Sequence, residues 1–181
     1  MKEITQTQKW LESVVIAHNI CPFAKRFFDD NKIRFFVENS TEIETCLENL
    51  LNECARLNEN ETIETTLLIY TNIFADFDDY LDFVEIAEQL FEVENYEGIY
   101  QLASFHPNYC FDGSSESDAA NYTNRSPYPM LHLLRESSLE KSLENYPNPE
   151  GIPENNIKLT RELGLQKMRE MFAACYVLTE T

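Results

Sequence analysis

The residues best suited to chemistry lie between Gly98 and Ser138. This stretch holds two of the three histidines, four of the nine tyrosines and two arginines among Asn, Ser and Pro. Burial of apolar surface does not call for that mixture, since every polar group taken out of water needs a partner. His106 stands at the end of an apolar run and is followed by Pro107, which stiffens its exit. His132, Arg135 and Glu136 follow Ser126 and Pro127, a cap and a first helical residue. Read as a helix over 127–138, the segment sets Tyr128, His132, Arg135 and Glu136 on one face and Met130, Leu131, Leu133 and Leu134 on the other.

That arrangement predicts acid–base work by His106 and His132, with Glu136 orienting an imidazole or sharing a divalent metal with it. Arg125 and Arg135 can clamp a phosphate or carboxylate, and Asn124, Tyr128 and Lys25 are further candidate ligand contacts. The same residue types also suit blander roles: a solvated helix face, and a turn histidine hydrogen-bonded to backbone.

Cys21 is a further candidate. At an N-cap before Pro22, with Lys25 near, its thiolate would be favoured. A buried structural thiol, a redox group in Cys-Pro-Phe-Ala, and a nucleophile or metal ligand beside His18 are the open readings. A metal set of Cys21, His106, His132 and Glu136 is one version. Cys46, Cys54 and Cys175 read as core, and Cys110 has no assigned role.

These side chains need a frame. Leu11, Val14, Val15 and His18 share a helical face, and Pro22 opens a short helix through Phe28. Strands are predicted at Ile33–Val37, Thr65–Tyr70 and Ile99–Phe105, and helices at Thr41–Leu57 and from Asp76 through Phe91. The order is β-α-β-α-β, with right-handed crossovers making the three strands parallel. A loop of some twenty residues separates His106 from Arg125, a length typical of binding loops. A Pro-rich link at 146–153 leads to a last helix from Glu154 to Cys175. The expected fold is α/β: one domain over 1–181, with a small mainly parallel or mixed sheet and helical ends.

The chain has 181 residues, 32 acids against 14 Lys and Arg, and a net charge of −18. Such a surface repels nucleic acid and anionic lipid, so neither is an expected partner. Arg56 is the one basic residue between Phe35 and Asn124. If the basic residues flanking that gap meet, they form a pocket for a small anion. Five irregularly spaced cysteines, no apolar run of membrane length and no secretory leader point to the cytoplasm. Gly-rich nucleotide loops, GxSxG and HExxH are missing, which disfavours a nucleotide cofactor.

Four segments together resemble a known family: a tryptophan separated by ten residues from Cys-Pro-Phe-Ala (Trp10 to Ala24), ETTLLI at Glu64–Ile69, YQLASFHPNYCF from Tyr100, and DAANYTNRSPYPMLHLLRES from Asp118. The family is domain of unknown function 1415, and the resemblance covers nearly the whole chain. It implies a single soluble domain of this size and names no reaction. The expected function is a small hydrolase or transferase acting on an anionic molecule in a His/Arg cleft. The alternative is a noncatalytic binding or adaptor protein in which those residues form a structural network, or a metal-binding protein.

Overall fold

The computed structural model describes residues 1–144 and 146–177. Helix α1 (Lys2–Trp10) runs on through a π-helical segment, Leu11–Ile16, and is followed by α2 (Ala24–Asp29). The centre of the chain then alternates: β1 (Ile33–Glu38), α3 (Ile43–Glu59), β2 (Thr65–Tyr70), α4 (Phe77–Val93) and β3 (Tyr100–Phe105). After the long loop, which holds a 3-10 turn at Ala119–Thr123, come β4 (Met130–Arg135) and α5 (Glu136–Glu144). Helices α6 (Ile152–Leu163) and α7 (Leu165–Cys175) close the described chain.

The sheet order is β1-β2-β4-β3. β1 and β2 are parallel, while β4 runs antiparallel to both β2 and β3. The three expected strands therefore do share one direction, and the fold is α/β with a mixed sheet. A fourth strand lies between two of them, and there the sequence reading fails.

Residues 127–138 are not a helix. Met130-Leu131-His132-Leu133-Leu134-Arg135 is an interior strand with core on both sides: Leu131 and Leu133 pack toward α3 and α4, Met130 toward α1 and α7. A strand buried on two faces reads as a nearly continuous apolar run, and six such residues fit a helical period equally well. The correction matters because strand side chains alternate. His132 and Arg135 project to opposite faces, so the shared reactive face of His132, Arg135 and Glu136 does not exist.

Two apolar layers sandwich the sheet. One joins Leu68, Tyr70, Leu131 and Leu133 to Leu50, Cys54 and Leu57 of α3 and to Tyr80, Phe83 and Ala87 of α4. The other joins Leu67, Ile69 and Met130 to Trp10, Val14, Val15, Met168 and Cys175. Asp76 caps α4 by accepting from the Asp78 and Asp79 amides, a contact worth about 1 kcal/mol. The Tyr80 hydroxyl donates to the Met130 carbonyl at 2.6 Å and accepts from the Phe105 amide at 3.2 Å, tying α4 to both β4 and β3. The expected final helix is two, broken at Gly164, whose φ of 82° suits only a residue without Cβ.

Candidate functional site

His106 is fully buried behind the C-terminal end of β3. Its Nδ1 accepts the Asn108 amide at 3.0 Å, so the ring proton sits on Nε2, which donates to the Phe74 carbonyl at 2.9 Å. The imidazole lies 5.2 Å from the Tyr80 ring and 5.1 Å from Phe77. Burial pushes its pKa below the ordinary histidine value, and no ring nitrogen is left for a substrate. What it holds is a bulky residue in an unfavourable place: Phe74 has φ of 63°.

The arginines are likewise engaged. Arg125 donates to the Tyr109 carbonyl at 3.0 Å and to the Glu116 carbonyl at 3.1 Å, with its guanidinium 4.7 Å above the Tyr122 ring. Arg135 donates to the carbonyls of Leu57, Asn60 and Ile63, where α3 ends and the next loop begins. A cation at a helix C-terminus satisfies carbonyls that no helical amide reaches. Asn124 gives its side-chain amide to the Ser104 carbonyl at 3.1 Å, and its own carbonyl accepts the His106 amide at 3.2 Å. Asn121 closes the loop on itself, and Asp118 ties it to α6. The former accepts from the Phe111 amide at 3.1 Å, and the latter binds Arg161 at 2.7 Å, which holds its carboxyl down to about 2. Tyr128 donates to Gln6 Oε1, and Lys25 pairs with Asp29 on the exposed surface. Glu136 begins α5, its amide bonded to the Ile99 carbonyl at 3.0 Å.

The expected cleft is thus divided. His106 lines an opening with Tyr70, Pro107 and Tyr128 on the α4 side. His132 lines a different cavity on the other face of the sheet, together with Cys21 and the strand end at Arg135. Asn124 borders a neighbouring opening that shares Cys21 and Phe105. Among the described residues, no three His, Cys, Asp or Glu side chains are grouped to hold a metal ion, so Cys21, His106, His132 and Glu136 are not a ligand set.

The cavity at His132 has a volume of about 220 Å³. Its floor is the sheet (Leu67, Ala103, Phe105), its roof is Trp10 with Phe23 at the start of α2 and Phe27 within it, and α5 forms a side. Pairing places His132 opposite both Leu67 and Ala103, which is why it faces this space. Thr65 Oγ1 donates to the Leu133 carbonyl at 2.5 Å, so it receives the His132 Nε2 proton at 2.6 Å. Desolvation takes this imidazole down to about 4, and it is neutral at pH 7. Cys21 also departs from expectation: burial raises its pKa, and the Phe23 and Ala24 amides offset this only in part. The thiol stays protonated, because the short helix after it and the exposed Lys25 do not make up for lost water.

Two members of this wall escaped the sequence reading as functional groups. Glu64 and Trp10 line the cavity, and Glu64 Oε1 and the Trp10 indole nitrogen are buried with no partner among the described residues. The available signal was a Glu-Thr-Thr opening to an otherwise apolar strand, whose first two threonines are both buried.

Residues 2–170 match the family described as Protein of unknown function (DUF1415). The chain belongs to that family. Searches of curated proteins and of solved structures returned no match. No described helix is long and apolar enough to cross a membrane.

Proposed function

We propose that this protein is a noncatalytic binding protein for a small, largely apolar molecule, and that the His/Arg groups of the long loop are a structural network. One observation carries the reading. His106, Arg125 and Arg135 spend their polar atoms on main-chain groups, while a cavity of about 220 Å³ walled by aromatic and aliphatic side chains lies beneath the N-terminal helices. An anion clamp needs free cations, and both arginines are engaged. An apolar cavity of about 150 Å³ already accepts a benzene ring, so this space suits a single-ring or branched aliphatic compound. Burial of most of such a ligand, with few polar contacts, is the usual design of small-molecule sites.

Trp10, the chain's only tryptophan, lies in the wall and reports on occupancy. Titration with benzyl alcohol is expected to give a saturable change in tryptophan emission. Ala103→Leu, which fills the floor, is expected to weaken binding at least about tenfold, the effect of losing one ligand-sized contact, while thermal unfolding stays cooperative. No saturable change in the wild-type protein, or unaltered binding in Ala103→Leu, sinks the proposal.

A further inference from the structure

The cavity wall is almost wholly hydrocarbon, so a polar atom that does face the space weighs heavily in what can be held there. Glu64 Oε1 and the Trp10 indole nitrogen do not face it, since both are closed off. Arg135 is bound to the carbonyls at the end of α3, and Ser142 gives its hydroxyl to the Ser138 carbonyl at 2.8 Å. Thr65 donates to the Leu133 carbonyl and receives the His132 Nε2 proton at 2.6 Å. That bond fixes the tautomer, leaving Nδ1 with a lone pair and no proton. No described residue donates to Nδ1, and unlike the Glu64 and Trp10 atoms it is not closed off. The ring lies deep in the protein and still keeps accessible surface, because the cavity stands in front of it.

Around this nitrogen the sheet offers nothing to bond. Leu67 and Ala103 stand directly across from His132 on the flanking strands, and Met130 and Leu134 are its same-face neighbours along β4. A water lodged there would have one acceptor and apolar surroundings, short of the about three hydrogen bonds that hold a buried water. An ion of either sign would give up its hydration and gain no opposite charge, because Arg135 is engaged and Glu64 Oε1 is closed off. A neutral molecule with one donor at its end and hydrocarbon elsewhere matches this wall.

We infer that the ligand is a neutral hydroxylated ring compound of the phenol type, its O–H donating to His132 Nδ1 and its ring lying among Trp10, Ala103 and Phe105; this rests on the cavity being a ligand site. A phenolic O–H is a stronger donor than that of an alcohol, and the ring adds aromatic contacts with Trp10 and Phe105, whose own centroids are 5.5 Å apart. The proton stays on the oxygen. A phenol ionises near pH 10, while the His132 imidazole takes up a proton only near pH 4, so the contact is a hydrogen bond between neutral groups.

The test is a donor series on one ring. Phenol carries a donor, anisole an acceptor only, and toluene neither; each is titrated against the intact protein at pH 7 by calorimetry. Phenol is expected to bind at least about fivefold more tightly than anisole, the scale of one net hydrogen bond, and toluene is expected to bind measurably. His132→Phe keeps a ring in the wall and removes the acceptor. It is expected to weaken phenol at least about fivefold while changing toluene affinity less than about twofold. In protein carrying isotopically labelled histidine, phenol is expected to shift one Nδ1 resonance by nuclear magnetic resonance, a shift that anisole does not reproduce. Anisole binding as tightly as phenol, a phenol preference that survives in His132→Phe, or no phenol-specific Nδ1 shift overturns the inference while leaving the apolar binding site standing. No saturable binding by any of the three overturns both the cavity reading and this inference. The ligand comparison and the nitrogen shift use the wild-type protein, so they decide the matter even if His132→Phe fails to fold.

Discussion

At the scale of single residues, His106 is a fastener. Replacing it by Ala strips the Phe74 carbonyl and the Asn108 amide of their partners and removes a ring stacked on Tyr80. The expected loss is on the order of 3 kcal/mol, read by denaturant unfolding. His132 adds a pH dependence whose sign can be worked out. Its folded pKa of about 4 lies below the ordinary 6.5. Between those values the unfolded chain binds more protons, so stability rises with pH across this window and is lost as pH falls from 6.5 toward 4. The contribution is on the order of 2 kcal/mol once part exposure is discounted. Unfolding free energies of the wild type and His132→Gln at pH 7 and pH 4.5 should therefore converge at the lower pH, and a constant gap would refute the assignment. The chemistry expected of these histidines was not legible in the sequence for a simple reason. Residue types announce which groups can donate or accept, but the Phe74 carbonyl that holds His106 and the Thr65 hydroxyl that holds His132 come from segments distant in the chain.

Among the elements, periodicity served well where a segment exposes one side and poorly where it exposes none. Helices α3 and α4 have half-exposed stripes, and both were legible to within a few residues of Ile43–Glu59 and Phe77–Val93. β2 was legible although wholly buried, because three β-branched residues and a tyrosine stand among the six of Thr65–Tyr70. β4 has no β-branched residue in MLHLLR, its leucines and methionine favour helices, and a Ser-Pro pair precedes it. Its strand state is imposed by β2 and β3 on either side, a tertiary override of local preference. The break between α6 and α7 shows the reverse case, a local device. Gly164 has φ of 82° and ψ of 154°, and an added Cβ would meet no atom within 4 Å. Gly164→Ala is thus expected to cost about 1–3 kcal/mol through backbone strain alone. Thermal unfolding will measure it, and an unchanged Tm would mean that the helices reorient freely at this joint.

At the scale of the molecule, the candidate site depends on parts far apart in the chain. The roof comes from the first 27 residues, Glu64 and Thr65 from the start of β2, the floor partly from Ala103 and Phe105, and His132 from β4. No contiguous segment carries it, so no stretch of the sequence displays it as the polar loop displays its own groups. The acidic surface belongs to the whole chain as well, and it leaves the cavity wall with one carboxylate and no free Lys or Arg among its described residues. The strand order has a consequence in time. β3 has β4 as its sole partner in the sheet, and β4 is made last, about thirty residues after β3 begins. A ribosome delivers the chain from its N-terminus. While residues before Met130 emerge, β1 and β2 can pair and be covered by α3, but β3 must wait with its hydrogen-bonding groups unclaimed. Synthesis therefore passes through a stage in which a paired β1–β2 and a lone β3 are present and the strand that bolts them together has not yet been translated.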